Sequence, residues 1–331
     1  MRRPGVRVAA TLSGFTALAI TLTILQQSGL RPAGLIETAL LAMTPLAFAA
    51  VGETINEKSG QINVGIEGMF LLSAIAGVYM SEMVNSGVAG LFFGGLVGAL
   101  IGGLLGVLFT LGKADQVVAG LALNILAAGL FQYLLMAIWA FPGIHIFPRE
   151  LVIPRIVIPL GEISLAVSPI TLAACASTAI AVYLLYRTML GLRIRAVGEK
   201  PELLDVAGLS VARTRIVAGV LAGFLVGLGG AFMPLGWFGG LVKEISAGRG
   251  FIALAAVVFS GLNPVTALAA TFLFGFAEGL AYIVVVTPGV KEVVPFHFVQ
   301  MIPYILTVAV LALFPTLRRF PKALGKPYVR E

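Results

Sequence analysis

Ionisable side chains that interrupt long apolar stretches are the residues best placed to do chemistry in this sequence. Glu278 lies inside the apolar run Pro264–Val286, while Glu67 and Arg249 stand where two shorter apolar runs begin. A charged group at the depth of a bilayer costs roughly 3 kcal/mol or more unless it faces a cavity, water or a partner. We therefore interpret these three residues, together with Glu53 ahead of the first of the shorter runs, as candidates for lining or gating a path across a membrane.

These residues, and their neighbours Glu57 and Lys58, also have a simpler, structural interpretation. Glu53, Glu57 and Lys58 could cap helices near a membrane surface. Arg249 could tie a loop together, and Glu278 could form a hydrogen bond within its helix or to another subunit. The sequence alone leaves both interpretations open.

Residues for other kinds of chemistry are missing. The nearest approach to a phosphate-binding loop, Gly106 to Ala114, has the wrong glycine spacing and lacks the hydroxyl that would hold magnesium. His145 and His297 are far apart and belong to no cluster with metal-ligand spacing. The single cysteine, Cys175, can form no intrachain disulfide. The sequence therefore predicts no intrinsic enzymatic activity, no cofactor and no metal in this chain.

Composition places the chain in a membrane. Of its 331 residues, 59% are hydrophobic and 11% are charged, against about 45–50% and about 25% in soluble proteins. Its 40 glycines are typical of closely packed membrane helices. The net charge of +7 comes from short basic segments beside apolar spans, which indicate topology rather than nucleic-acid binding.

The apolar runs predict an all-α integral membrane protein of about ten transmembrane helices, since a span needs roughly 20 apolar residues. The predicted spans are Val8–Leu30, Leu35–Val51, Ile66–Met80, Val88–Leu111, Gln116–Ala140, Val167–Arg187, Val211–Leu235, Phe251–Gly261, Pro264–Val286 and Phe298–Phe314. With ten crossings, 16 Lys and Arg residues fall on the side of the termini and 6 on the other side. Because basic residues favour the cytoplasmic side, we predict that both termini are cytoplasmic.

Two of these spans predict an inverted repeat. Ile66–Met80 and Phe251–Gly261 are too short to span alone, and they follow polar, glycine-marked breaks at Gly52–Gly65 and Gly239–Gly250. The predicted topology directs the first outward and the second inward. Paired, opposed broken helices are typical of transporters. A secondary transporter with Glu278 as its ion-coupling carboxylate is the competing interpretation, and a channel is a third.

The longest cytoplasmic loop, Arg187–Arg215, contains a predicted short helix. Pro201 suits its first turn, Glu202 and Asp205 suit its positive N-terminal end, and Gly208 suits its stop. Such a helix could dock into the groove of a partner protein or lie along the membrane surface. These residues do not decide between the two.

Four ordered segments resemble the permease subunits of bacterial ABC importers for branched-chain amino acids, simple sugars and nucleosides. They are Glu57–Met69, Ala114–Asn124, Arg195–Leu209 and Ala247–Ala256. The third is similar to the coupling loop of that family, with a departure at Leu203–Ala207, where the wider ABC permeases show a Glu-Ala-Ala core. The resemblance implies that the coupling residues are Arg195, Gly198, Glu199, Pro201, Asp205, Ala207 and Gly208.

The resemblance also implies partners and a substrate. The chain would be a subunit of an ATP-driven importer in the cell membrane, surrounded by lipid. Its partners would be an ATP-binding cassette ATPase, a second and unlike permease, and an extracellular substrate-binding lipoprotein. Nucleosides are the preferred substrates ahead of simple sugars, because the segments match that branch best.

Candidates for lining the path are Asn63, Glu67, Asn124, Arg249, Phe251 and Glu278. Asn124 could bond a nucleoside hydroxyl or base edge, or it could join two helices. Phe251, together with Trp237 and Phe238, could stack on a base or anchor the chain at a membrane interface.

We predict one permease domain over residues 1–331. It comprises a first helix at 8–30, a first repeat region at 35–140, an outer loop at 141–166, a coupling loop at 187–212, a second repeat region at 211–314 and a cytoplasmic tail at 315–331. The outer loop is predicted to dock the binding protein or to form a rigid cover over the bundle.

Overall fold

The computed structural model describes residues 32–140, 143–160, 163–286, 301 and 320–328. Its helices are α1 (Pro32–Lys58), α2 (Ile66–Val84), α3 (Gly87–Thr110), α4 (Gln116–Trp139), α5 (Pro169–Arg187), α6 (Met189–Glu199), α7 (Pro201–Val206), α8 (Val211–Phe232), α9 (Arg249–Ser260) and α10 (Pro264–Val286). The predicted spans Val8–Leu30 and Phe298–Phe314 lie outside the described residues, as does His297.

Seven of the described helices are long and apolar enough to cross a membrane: α1, α2, α3, α4, α5, α8 and α10. Each coincides with a predicted span. The eighth predicted span in the described region is α9, whose 12 residues are too few to cross alone, as predicted. The exposed surface is also typical of a membrane protein, because α4 exposes large apolar residues such as Ile125 and Leu126, with 76% and 63% of their surface exposed. The chain is a multi-pass membrane protein, and the total of ten crossings stays a prediction.

The first break is shorter than predicted. α1 continues through Gly52 to Lys58, so only the stretch from Ser59 to Gly65 leaves helical geometry. Gly52 serves helix packing, since a Cβ there would lie 2.7 Å from the carbonyl oxygen of Ala222 on α8. The prediction was also wrong about the following segment, because α2 extends to Val84 and its 19 residues are of spanning length. Polar residues buried inside a bundle resemble a loop when only the sequence is read.

α3 and α8 pack closely against each other through a glycine seam. Along the seam the two helices run antiparallel, and the facing residues are Gly94 with Gly227, Gly98 with Gly223, and Gly102 with Gly219. A Cβ on Gly219 would lie 2.7 Å from the carbonyl oxygen of Gly102. Glycines therefore allow the two backbones to approach, as in other membrane helix pairs.

The all-α prediction fails in the outer loop, which contains short strands. β2 (Ile156–Leu160) and β3 (Ile163–Val167) form an antiparallel hairpin, and β1 (Ile144–His145) pairs antiparallel with β4 (Leu241–Val242). The β-branched run at the start of β2 favours a strand. The pairing of β1 with β4 attaches the outer loop to the second break.

Candidate translocation path and coupling surface

The first break returns into the bundle. Ser59 lies beside the start of α8, where its carbonyl oxygen accepts a hydrogen bond from Arg215 Nε at 3.2 Å. Phe70, in the second turn of α2, packs against Gly230. Arg215 and Gly230 are 15 residues apart on α8, which is roughly 22 Å of helix. The start of α2 therefore lies in the interior and not at the end of the bundle.

Polar side chains hold this returning segment. The N–H of Asn63 donates to Glu53 Oε1 at 2.7 Å, and Asn63 Oδ1 accepts from the N–H of Gly65 at 2.9 Å. Glu53 is completely buried. Its carboxylate therefore gives a hydrogen-bond acceptor to a backbone N–H of the break that no helix or sheet pairs. Glu53 thus has a structural role, but it holds the break from inside the bundle and does not cap a helix near a surface as the sequence predicted.

Asn124 of α4 joins the same segment to the bundle. Its Nδ2 donates to the carbonyl oxygen of Val64 at 2.9 Å, and its Oδ1 accepts from the N–H of Gly68 at 2.8 Å. Both ends of the amide are thus used in holding α2 against α4. The structure favours the joining role for Asn124, and contact with a solute stays a prediction.

Glu67, in the first turn of α2, connects the two breaks. Its carboxylate accepts hydrogen bonds from the N–H groups of Gly248 and Gly250, both at 2.7 Å. These amides lie at the N-terminus of α9, where free N–H groups and the helix dipole favour an anion. Gly250 allows the approach, because a Cβ there would lie 2.5 Å from the backbone nitrogen of Glu67. The two short predicted helices therefore start at one shared point.

An ion pair and two stacked aromatic rings surround a cavity beside this point. Arg249 pairs with Glu278, and its guanidinium lies 4.6 Å from the ring centroid of Trp237. The Trp237 and Phe238 rings are stacked, with centroids 4.5 Å apart, in a π-helical segment at the end of α8, Met233–Phe238. Such segments are frequent at functional sites.

The cavity has a volume of about 350 Å³. It is lined by Thr38, Leu41, Arg155, Trp237, Phe238, Arg249, Glu278 and Tyr282. Thr38, Arg155 and Tyr282 are not among the path residues predicted from the sequence. Tyr282 could have been predicted from the sequence, because it follows Glu278 by four residues and therefore lies on the same face of the helix. Arg155 and Thr38 reach the cavity only through the tertiary structure.

The candidate path residues thus divide into three groups. Asn63, Glu67 and Asn124 hold the breaks together, whereas Arg249 and Glu278 line the cavity. Phe251 is 45% exposed and does not line the cavity. Arg249 also donates from Nη1 to the carbonyl oxygen of Ile245 at 3.0 Å, so it ties the second break together as the structural interpretation expected.

The predicted coupling helix is present as α7, which begins at Pro201 and ends at Val206, with Gly208 in the left-handed region at φ +75°. The preceding stretch, expected to be part of a loop, forms the helix α6. Thr188 caps it by accepting from the N–H of Gly191 at 3.1 Å. Together, α6 and α7 expose large apolar side chains: Met189, Leu192, Leu203 and Val206.

The coupling candidates differ in exposure. Gly198 and Pro201 are buried, Arg195 and Asp205 are half-buried, and Glu199, Ala207 and Gly208 are exposed. Gly198 packs so closely on the end of α1 that a Cβ would collide with the carbonyl oxygen of Lys58. The Arg195 guanidinium lies over the ring of Tyr186, 5.3 Å from its centroid. The predicted coupling segment therefore packs, through Gly198 of α6, directly on α1, the helix that leads into the first break.

Within the described ranges, no group of three or more His, Cys, Asp or Glu side chains could hold a metal ion. His145 has a structural environment: its Nε2 lies 2.7 Å from Glu82 Oε1, and its ring stacks on Trp139 with a centroid separation of 4.5 Å. The predicted outer loop is thereby attached to α2 and α4.

Comparison with known proteins places the chain in a family. Residues 35–311 match the family model described as branched-chain amino acid transport system, permease component. The chain is 33% identical to the nucleoside ABC transporter permease protein NupC of Lactococcus lactis, over 88% of this chain and 95% of the relative.

Two other relatives cover as much of the chain. It is 33% identical to the guanosine ABC transporter permease protein NupQ of Bacillus subtilis, over 89% of this chain and 96% of the relative. It is 30% identical to the putative glucose ABC transporter permease protein TsgC13 of Haloferax volcanii, over 90% and 98% respectively. No solved structure matches the chain significantly. The chain therefore belongs to the family of permease components of branched-chain amino acid type transport systems.

Proposed function

We propose that this ABC importer permease carries nucleosides, and that the cavity between Trp237 and Glu278 binds the nucleoside during its passage. The cavity volume of about 350 Å³ falls within the roughly 300–1,000 Å³ that is usual for small-molecule sites. The aromatic pair Trp237 and Phe238 offers a stacking surface for a base. The Arg249–Glu278 pair offers charged donors and acceptors for polar edges, and Thr38 and Tyr282 offer hydroxyls for the ribose.

The rest of the machine is proposed from family membership. An ATP-binding cassette ATPase hydrolyses ATP and docks on α6 and α7, a second, unlike permease completes the path, and an extracellular lipoprotein delivers the substrate to the outer loop. We propose ten crossings with both termini in the cytoplasm. The meeting of α2 and α9 at Glu67 supports an inverted repeat in which each of these helices follows a break.

A secondary transporter is less well supported. Such a protein needs a carboxylate that is free to bind the coupling ion, whereas Glu278 is paired with Arg249. Uptake into proteoliposomes distinguishes the two mechanisms, because an importer requires ATP and an ion-coupled carrier requires an ion gradient. Uptake that persists without ATP would contradict our assignment.

The substrate is tested in proteoliposomes that contain both permeases, the ATPase and the binding protein. We expect ATP-dependent uptake of guanosine or uridine, with glucose failing to compete. Trp237→Leu removes the stacking surface and should lower nucleoside uptake roughly ten-fold, because base stacking is worth about 1–3 kcal/mol. Tyr133→Leu is the matched control, since Tyr133 lies on α4 with 67% of its surface exposed. Glucose uptake without nucleoside uptake would refute the nucleoside assignment.

A further inference from the structure

Residues 321–328 lie against the end of the bundle that carries α6 and α7. We infer that this segment, Pro321–Tyr328, is a strap that positions the coupling helices and passes their movement to the first break. The inference rests on the proposed function in one respect, namely that α6 and α7 receive the ATPase. The strap would make Tyr328 and Arg215 positioning residues for transport.

One side of the strap holds the coupling helices. The N–H of Ala323 donates to the carbonyl oxygen of Gly198 in α6 at 2.9 Å. The hydroxyl of Tyr328 donates to Asp205 Oδ2 in α7 at 3.1 Å. Both Gly198 and Asp205 are among the residues that the sequence identified as coupling candidates. The strap therefore contacts each coupling helix separately.

The other side of the strap holds the first break. The N–H of Gly325 donates to the carbonyl oxygen of Gly60 at 3.0 Å. Gly60 has φ +87°, and a Cβ there would lie 3.1 Å from the carbonyl oxygen of Ala323 and 3.0 Å from Arg215 Nη2. Glycine at this position thus satisfies both the backbone conformation and the close approach of the strap.

Arg215 of α8 connects the strap to the first break through two hydrogen bonds. Its Nη1 donates to the carbonyl oxygen of Lys326 at 3.1 Å, and its Nε donates to the carbonyl oxygen of Ser59 at 3.2 Å. The side chain is completely buried, and a buried guanidinium keeps its position only where such partners hold it. One arginine thereby bonds to both the strap and the break.

These contacts define a mechanical route. A displacement of α7 must move the strap or break its hydrogen bonds, and the strap in turn bonds to Gly60 in the break. From Gly60 the chain continues through Asn63, which is bonded to Glu53, to Glu67 of α2, whose carboxylate accepts from the amides at the start of α9. Rigid, bonded elements of this kind can carry a movement between distant sites. The strap therefore joins the coupling surface to the point where α2 and α9 meet.

The test uses the complete importer with a chain that stops after Phe320, and with the single variant Tyr328→Phe. We expect the truncated permease to assemble with the ATPase at wild-type stoichiometry. The assembled complex should hydrolyse ATP within about two-fold of the wild-type rate. The amount of nucleoside imported per ATP should fall roughly ten-fold, because several hydrogen bonds are lost together. Tyr328→Phe removes the hydrogen bond to Asp205, so a decrease of roughly three- to five-fold is expected. Lys322→Ala is the control, because its side chain is exposed.

A second measurement does not depend on the substrate. Hydrogen exchange of residues 59–65 is compared with and without ATP in the assembled complex. We expect ATP to change this exchange in the wild-type complex and not in the truncated one. Equal transport per ATP in both chains, or an equal ATP response of residues 59–65, would overturn the strap. Loss of ATPase binding on truncation would also overturn it, in favour of a docking role. Failure of wild-type uptake of nucleosides would count against the substrate alone.

Discussion

Glu67→Gln tests whether one carboxylate holds together α2 and α9, the two helices that follow the breaks. In the wild-type protein, two N–H groups of α9 donate to this carboxylate at 2.7 Å each. Glutamine keeps one acceptor oxygen but turns an NH₂ group toward the second N–H, so one bond is lost and two donors face each other. A hydrogen bond to a charged group contributes about 1.5–3 kcal/mol. The lost charge at a helix N-terminus contributes up to about 2 kcal/mol more.

The free energy of opening at the start of α9 should therefore fall by about 2–4 kcal/mol. Since about 1.4 kcal/mol corresponds to a factor of ten, protection of the Gly248 and Gly250 amides against hydrogen exchange should fall roughly 30- to 1,000-fold. Hydrogen exchange with mass spectrometry on the purified protein measures this change. Glu150→Gln provides the control, because Glu150 is an exposed carboxylate in the outer loop. Unchanged protection at Gly248 and Gly250 would refute the reasoning.

Three further predictions concern other contacts. Gly198→Ala places a Cβ against the end of α1, so we expect α6 to shift and ATP-driven uptake to fall at least about five-fold. Gly129→Ala is the control and should transport normally, because a Cβ at Gly129 has no atom within 4 Å. Arg249→Ala and Glu278→Ala should each lower the free energy of unfolding by about 3 kcal/mol, since each leaves a charge unpaired. The double variant should lose less than the sum of the two. Strictly additive losses in thermal unfolding would count against the ion pair. Gly223→Ala should lower the free energy of unfolding by about 1–3 kcal/mol, and an unaltered melting curve in detergent would contradict the glycine seam.

Elements with a strong local signal were predictable from the sequence. Seven spanning helices follow from apolar runs, because the bilayer admits little else of that length. The short helix α7 follows from Pro201 and Gly208, whose backbone preferences mark a start and a stop. The twelve residues of α9 stood out because they are too few to span and follow glycines. In each case neighbouring residues carry the information.

Elements that depend on distant partners were missed or misplaced. The segment Glu53–Lys58 is helical, whereas the sequence predicted a break there, because the burial of Glu53 against the distant Asn63 leaves no local pattern. The strands of the outer loop need partners in register, and β1 finds its partner β4 almost a hundred residues later along the chain. The buried role of Arg215 has no sequence signal apart from a charge near a helix start.

The sequence by itself determined that this chain is a membrane protein, that two polar, glycine-marked breaks interrupt its helices, and that a short helix lies between two spans. These properties follow from composition and from the conformations that proline and glycine allow. Only the tertiary structure decided that Glu67 binds the start of α9, that Arg249 meets Glu278 over two aromatic rings, and that Tyr328 reaches Asp205. The physical reason is that hydrogen bonds and ion pairs require atoms a few ångströms apart, and only the packing of helices brings such distant residues within that range.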